Sequence, residues 1–497
     1  MRDGEALQRI GISAELFDDH SPLQLGSAGR HQGAAFTLVG RLQYRYADGT
    51  WNQWHALFDS GKSGWLSEDN GAYVIAFDAP LTGPAPAADE LSAGERRLVQ
   101  GSAWNVASVT RASLQAAQGE LPRPPRLDGA EFTVADLRNE ADEVGTLDWS
   151  EAQQPVWSVG RAVRLADLAL SGLREDSEMT LGGRSLDCPS CGASLQLSLA
   201  STQSIVCGQC KAVVDVSQGA GTQLSHYAQN NSGHEGIGPA IPLGRTAPIA
   251  LGGPELPWQV VGYVERCDLP APGDDEEQSF WREYLLYNRQ EGFTFIVDAE
   301  DGWSWMRPLT GAPQTRGDTA TWKGRTFQQR YSYAAKVTWV LGEFYWRLKR
   351  EERAQVTDYF GRNNAAGRRL SREEVGTEVT WSEGAGLDTA VLEGAFGLAA
   401  GGLPDMARAG GAAAAAPWSG LNISGGLIKT LLVVGFIVVA LVLSETNSSS
   451  SCDELRTTFG DSSNEYQQCL SQSRGSGSGR TTGGSFGGFS SGGGGHK

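Results

Sequence analysis

Alternating apolar and polar positions in the first part of the chain predict short strands with one buried face. Leu42, Tyr44 and Tyr46 alternate with polar residues, which is the two-residue period of a half-buried strand. The turn Asp48-Gly49 then leads into the aromatic run 51–58, and such a turn between two apolar runs is typical of a β-hairpin. Because further glycine turns and short apolar runs follow, we predict an antiparallel meander.

The same pattern returns in the second half of the chain, which predicts an internal duplication. Offsets between 222 and 230 residues relate the two halves at four places. The matched segments are Val39-Gly40-Arg41 with Val261-Gly262-Tyr263, 51–56 with 281–286, Gly64-Trp65 with Gly292-Phe293, and Gly119-Glu120-Leu121 with Gly342-Glu343-Phe344. We therefore predict a mainly β protein with two related antiparallel modules of a small barrel or sandwich type, at 1–182 and 221–396.

Four cysteines between the two modules predict a zinc ribbon at 183–220. Cys188 and Cys191 form one pair, and Cys207 and Cys210 form the second pair after fifteen intervening residues. Two such pairs supply the four sulfurs of a closed tetrahedral zinc site, which is structural because it leaves no position for water. Gly192 and Gly208 are expected to provide the backbone freedom of the two turns. Two redox dithiols are the alternative.

The last hundred residues differ from the two modules in composition. Alanine and glycine dominate 397–426, which we interpret as a flexible linker. The apolar run 427–444 is about 27 Å long as a helix, which suffices to cross a membrane. The tail 445–497 is rich in serine and glycine and is predicted to be disordered. Within this tail Cys452 and Cys469 could form a disulfide.

Local patterns also predict the orientation of the chain in a membrane and the start of one short helix. The amino-terminal residues contain no apolar run of the kind a secretory signal needs, so we predict a cytosolic body and an outside tail. A single-pass protein of this kind would be at a membrane and would bind other membrane proteins. Separately, the spacing in Ser371-Arg372-Glu373-Glu374 is that of a capping box and predicts the start of a short helix.

The overall charge argues against a nucleic-acid partner. The chain has a formal net charge of −17 and a pI near 4.9, which would repel a phosphate backbone. Within the ribbon, Arg184 and Lys211 balance Asp187 and Asp215, so no local basic patch compensates. We therefore expect no binding of nucleic acid.

The sequence offers aromatic and histidine candidates but no catalytic motif. Six aromatic residues at strand positions could form an interaction surface, although packing in a core is the more common use of such residues. They are Trp51, Trp54, Trp65, Trp281, Tyr284 and Trp303. His55 is expected to be a surface or packed residue, and His226 and His234 are not needed as ligands beside four cysteines. No phosphate loop, nucleophile elbow or His-Glu-x-x-His motif is present.

The tryptophan pattern resembles a bacterial family of a domain of unknown function. The residues that carry the resemblance are Trp51, Trp54 and Leu57 with 64–69, and 281–284 with Asp301-Gly302-Trp303. The resemblance implies tandem tryptophan-rich β modules and membrane association, without an established reaction. We expect a zinc-stabilised scaffold that binds proteins at the cytosolic membrane face. An enzyme that uses Glu120, Glu283 or Glu343 between the modules, or a thiol and zinc redox sensor, are the alternatives.

Overall fold

Antiparallel strands make up most of the chain that the structure describes, as the alternating pattern predicts. The computed structural model describes residues 21–403, and all of these residues belong to one compact unit. The short gaps within this range are 48, 70–71, 126–127, 151–153, 175–185, 200–201, 217–223, 230–237, 270–277, 290, 349–351 and 366.

Ten strands form the first module. They are β1 (Ala28–His31), β2 (Ala34–Tyr46), β3 (Gly49–Phe58), β4 (Ser63–Asp69), β5 (Ala72–Asp78), β6 (Arg96–Val99), β7 (Ser102–Gly119), β8 (Glu131–Arg138), β9 (Glu143–Asp148) and β10 (Val156–Val163). Two short 3-10 helices cover the strands, at Ala88–Glu90 and Leu165–Leu168.

Eight of these strands close into a barrel. Each strand of the series β2, β3, β4, β5, β10, β9, β8 and β7 pairs antiparallel with the next, and β7 pairs with β2 to complete the ring. The remaining strands β1 and β6 extend the sheet from β2 and β7. Of the two predicted types, the first module is therefore a barrel, because a closed ring has no free edges.

Five short strands follow the first barrel and form the ribbon. They are β11 (Leu186–Asp187), β12 (Ser194–Leu195), β13 (Ser204–Val206), β14 (Val213–Asp215) and β15 (His226–Tyr227). The first two pair with each other, and β14 lies between β13 and β15. The ribbon therefore consists of two small antiparallel sheets.

The second module contains the remaining strands. They are β16 (Thr246–Ala250), β17 (Glu255–Leu269), β18 (Phe280–Asn288), β19 (Gly292–Ala299), β20 (Gly302–Pro308), β21 (Gln314–Arg316), β22 (Thr319–Trp322), β23 (Arg325–Phe344), β24 (Arg353–Gly361), β25 (Arg368–Val375) and β26 (Glu378–Gly386). A 3-10 helix spans Asn363–Ala365, and the helix α1 spans Thr389–Phe396.

The second module repeats the eight-stranded ring of the first. Its closed series is β17, β18, β19, β20, β26, β25, β24 and β23, with β23 pairing back to β17. A β-bulge breaks the first pairing of each ring at the same place, at Val39 in one barrel and at Val261 in the other. The predicted duplication is therefore confirmed at the level of strand order and register.

One of the matched segments needs a correction. Residue pairing places Trp65 opposite His55, and it places Phe295 opposite Leu285, the counterpart of His55. Trp65 therefore corresponds to Phe295, whereas the sequence match aligned it with Phe293. The error arose because a short Gly-aromatic match ignores the strand register, which is fixed by the partner strand.

Each barrel has an interior core and covered outer faces. In the first barrel Tyr44, Trp51 and Leu114 pack inside, while Trp54 and Leu66 pack on the outer face beneath chain segments that flank the barrel. The second barrel has the same arrangement, with separate clusters inside the ring and beneath its covering segments. Because side chains alternate between faces along a strand, a barrel strand covered outside is apolar on both faces.

The two barrels contact each other directly. Ser108 of β7 pairs with Glu378 of β26, so a β-bridge joins one strand of each ring. In addition, the carboxylate of Asp142 in the first barrel lies 3.4 Å from the ammonium group of Lys323 in the second. The described part of the chain is therefore a connected pair of barrels.

Two expectations about the second module differ from the structure. The segment Ser371-Arg372-Glu373-Glu374 lies within the strand β25, because pairing with β24 and β26 outweighs the local capping-box spacing. The helix of the second module is instead α1, whose amino terminus is capped by the Asp388 carboxylate. Leu403 is 3% exposed and packs in the second module, which therefore extends past the predicted boundary at residue 396.

Several expectations concern residues outside the described range. These are the larger part of the linker 397–426, the candidate span 427–444, the tail 445–497, and Cys452 and Cys469 within that tail. Among the described residues, no helix has the length and apolar character needed to cross a membrane.

Candidate metal centre

The four predicted cysteines of the ribbon converge on one point. Cys188 Sγ lies 3.7 Å from Cys210 Sγ, and Cys191 Sγ lies 3.7 Å from Cys207 Sγ. All four sulfurs are within 4.8 Å of one another. A tetrahedral ion with metal–sulfur bonds of about 2.3 Å needs sulfurs about 3.8 Å apart. The cluster can therefore hold a metal ion of the size and geometry of zinc.

The two cysteine turns have the same backbone conformation. In each turn the residue after the second cysteine has a positive φ, +74° at Gly192 and +60° at Lys211, and its N–H donates to the carbonyl of the first cysteine. Gly208, which the sequence suggested for this role, has no such φ among the described residues. The second turn therefore places a lysine in the left-handed region, which is uncommon outside glycine and asparagine.

Backbone N–H groups point at the sulfurs. The N–H of Ala212 donates to Cys210 and lowers the pKa of this thiol to about 6. At Cys191 the N–H of Ala193 acts in the same direction, but contact with the other sulfurs and burial raise its pKa to about 12. Without a cation, some of the four sulfurs therefore carry protons. Binding of a cation would release these protons.

The base of the ribbon is attached to the second barrel. Ser204 and Ile205 of β13 pair with Phe344 and Glu343 at the end of β23. The amide of Gln229 further contacts both backbone groups of Val340 on the same strand, at 2.9 and 3.0 Å. Strands β13, β14 and β15 of the ribbon are therefore connected to the sheet of the second barrel.

The Glu343 carboxylate secures this attachment. It accepts hydrogen bonds from the backbone N–H groups of Ser198 and Leu199, at 2.8 and 3.0 Å, and from the hydroxyl of Thr202 at 2.6 Å. Glu343 is 8% exposed, so these bonds are shielded from water. All of its described contacts belong to the ribbon, which indicates a structural use of this carboxylate.

The three carboxylates of the enzyme hypothesis do not converge. Glu343 lies beneath the ribbon, Glu283 is 0% exposed inside the second barrel, and Glu120 is exposed at the end of β7 in the first barrel. His55 contacts the carbonyl of Glu120 and the hydroxyl of Ser63 and is 5% exposed, so it is a packed residue. The described residues thus bring no catalytic set together around these groups.

The cysteine cluster does not include His226. His226 is exposed on β15, and it is absent from the group of described residues that can share a metal ion. His234 lies outside the described range.

The six aromatic residues do not form an interaction surface. Five of them are at most 3% exposed, and Trp65 is half-buried. Trp51, Trp65 and Trp281 face the barrel interiors, whereas Trp54, Tyr284 and Trp303 pack beneath the covering segments. The packing alternative applies, because both faces of these strands are covered.

Comparison with known protein families identifies the repeated barrel. The model of a domain of unknown function, DUF4178, matches residues 24–165 and 255–389, which together are more than half of the chain. The chain belongs to the DUF4178 family. The two matches coincide with the two barrels, and the ribbon lies between the two DUF4178 domains. No curated protein and no solved structure matches the chain.

A buried charge cluster inside the second DUF4178 domain was missed by the sequence reasoning. Arg266, Glu283 and Glu373 are each at most 1% exposed. The pattern contained a signal, because Arg266 and Glu283 alternate with apolar inward residues of the same strands, such as Val264 and Leu285. A charge on the apolar side of a strand is costly to bury and therefore marks a site with a special role.

Proposed function

We propose that this chain is a single-pass membrane protein whose two DUF4178 domains and zinc ribbon form a scaffold that binds other proteins at the cytosolic face. The observation that carries the proposal is the attachment of the four-cysteine ribbon to β23 of the second barrel. This attachment gives the metal site a structural purpose, since a bound ion would hold the ribbon in place on a rigid barrel.

Zinc is the ion that the donor set favours. Four thiolate sulfurs at tetrahedral spacing suit Zn²⁺ and leave no open position for a substrate. In this proposal the ion stabilises the ribbon and takes no part in a reaction. Cys188, Cys191, Cys207 and Cys210 would be its ligands.

The ribbon tips are the proposed contact surface for partner proteins. Residues 189–192 and 208–211 are exposed at the two cysteine turns, and the base of the ribbon is fixed. An exposed element on a fixed base can bind a partner without losing much conformational freedom. Anchoring by the apolar run 427–444 would keep this surface near membrane proteins.

Affinity capture from solubilised membranes tests the scaffold function. The double variant Ser190→Arg with Gln209→Arg places bulky charges on both tips without removing a sulfur. Thr315→Arg, on the exposed hairpin of β21 and β22, is the matched control. We expect reproducible partners with the wild type and with Thr315→Arg, and their loss with the double variant.

Membranes prepared for the same experiment also test where the protein is located. The tagged protein should remain in the membrane fraction unless detergent is added. A protease should cleave its carboxy-terminal tag only from the outside. Identical partner sets for all three proteins would contradict the contact surface, and a tag digested from the cytosolic side would contradict the topology.

A further inference from the structure

The charge cluster inside the second barrel holds two carboxylates around one guanidinium group. Arg266 donates from Nη2 to Glu373 Oε1 at 2.7 Å and from Nη1 to Glu373 Oε2 at 3.4 Å. The same Nη1 lies 3.4 Å from Glu283 Oε1. Glu373 therefore has both oxygens on Arg266, whereas Glu283 shares one of its donors at a long distance.

Glu283 has the weaker support of the two carboxyl groups. Its Oε1 also accepts from the indole N–H of Trp281 at 2.8 Å, but its Oε2 has no hydrogen-bond partner among the described residues. The neighbouring strands β17 and β19 place Val264 and Val297 beside Glu283, and β20 places Ser304 beside Val297. None of these side chains carries a charge. An ionised carboxylate in such a place has an unfavourable free energy, because burial without compensation disfavours the charged form.

Other charged and titratable groups on the interior face are engaged elsewhere. Asp358 accepts from the hydroxyl of Tyr333 at 2.8 Å, and Arg369 lies 3.4 Å from Asp301. The groups on this face, over β17, β23, β24, β25 and β26, are Asp268, Tyr331, Tyr333, Asp358, Arg369 and Glu378. None of the contacts described for them supplies a positive charge to Glu283.

We propose that Glu283 is a proton-binding site, in which the folded second barrel holds this side chain as a neutral carboxylic acid in mildly acidic solution and releases its proton as the solution becomes alkaline. When the acid dissociates, its O–H bond breaks, the electron pair stays on the carboxylate, and the proton goes to solvent. The barrel is then left with two carboxylates around Arg266. Its stability therefore falls, and with it the support of the ribbon on β23.

Burial and the approach of Glu373 agree with this assignment. Burial raises the pKa of Glu283 from 4.5 to about 7, and Arg266 offsets only part of this effect. Because the pKa is higher in the folded than in the unfolded chain, the folded barrel binds the extra proton. The stabilisation is complete below about pH 4.5, decreases as the pH rises through about 7, and is absent above that value.

The first barrel provides an internal comparison. Register pairs Gln53 with Leu42 as it pairs Glu283 with Val264, so Gln53 is the counterpart of Glu283. Tyr44 and Asp148 likewise take the positions of Arg266 and Glu373. The first barrel therefore folds with a neutral amide at this position, which makes Glu283→Gln a substitution that the fold accepts.

Denaturant unfolding of the full chain as a function of pH tests the proposal, with hydrogen exchange of β18 as the local measurement. In the wild type, the opening equilibrium constant of β18 should increase on the order of a hundredfold between about pH 5 and about pH 8. Glu283→Gln should remove this increase and leave opening at about pH 5 unchanged, because the amide replaces the neutral acid. Peptides from β3 of the first barrel should not respond in either protein.

Two further variants decide which carboxyl group carries the proton. Glu373→Gln removes the paired carboxylate and should increase opening of β18 at about pH 5, where Glu283→Gln does not. Glu343→Gln removes another buried carboxylate of the same domain and should retain the pH response. An infrared band of a protonated carboxylic acid should be present in the wild type at about pH 6 and absent in Glu283→Gln. The proposal would be overturned if Glu283→Gln increased the opening of β18 at about pH 5 and Glu373→Gln did not. An unchanged pH response in Glu283→Gln would also overturn it.

Discussion

The same residue type has different uses in the two copies of the barrel. Glu120 and Glu343 occupy equivalent positions, since each follows the glycine that pairs with Gly40 or Gly262. Glu120 is exposed, whereas Glu343 is buried and accepts hydrogen bonds from the ribbon. A carboxylate with several donors in a shielded place stabilises a fold more than an exposed one does.

This difference predicts unequal effects of one substitution at the two positions. Glu343→Gln replaces an accepting oxygen by an amino group that faces N–H donors, so we expect a loss of about 1–3 kcal/mol in the free energy of unfolding. Glu120→Gln is the matched control and should change it by less than about 0.5 kcal/mol. Denaturant titration of both variants measures the effect, and equal effects would show that Glu343 does not secure the ribbon.

At the scale of elements, the two bulges and their glycines fix the register of each barrel. Gly119 and Gly342 have φ values of +76° and +90°, and a Cβ atom at either position would lie 2.3 Å from the carbonyl oxygen of Val39 or Val261. The bulge therefore needs both the left-handed conformation and the absence of a side chain. This constraint explains why the Gly-Glu match persisted between the copies while the flanking residues diverged.

Alanine substitution separates these two requirements. Gly342→Ala adds both strain at positive φ and a clash with backbone, whereas Gly302→Ala has φ +92° with no atom within 4 Å of the added Cβ. We expect Gly302→Ala to destabilise by about 1 kcal/mol and Gly342→Ala by at least about 2 kcal/mol more. Thermal and denaturant unfolding measure the difference, and equal losses would argue against the close contact at the bulge.

At the scale of the whole molecule, local patterns predicted more of the elements than of their assembly. The strands around Leu42 to Tyr46, the duplication and the cysteine turns follow from periods and spacings of neighbouring residues. Closure of each ring depends on pairs such as β5 with β10, and the ribbon reaches its support through β13 and β23. Such pairings join distant segments and leave no local pattern.

The wrong predictions for particular segments also arise because contacts between distant parts of the chain leave no local pattern. Ser371 to Glu374 has the local spacing of a helix start, but its neighbours β24 and β26 supply a hydrogen-bond ladder on both sides. The six aromatic residues have strand periodicity whether one face or both faces are covered, so the periodicity alone does not predict that five of them are buried.

We propose that a metal ion holds the ribbon on the second DUF4178 domain. The most direct measurement combines the zinc content of the purified full chain with hydrogen exchange before and after chelation. We predict one tightly bound zinc ion per chain, and its removal should increase exchange in β13 and in residues 340–344 of β23. Strand β2 of the first domain should keep its protection. Zinc-free protein with a protected ribbon, or unchanged exchange after chelation, would contradict the claim.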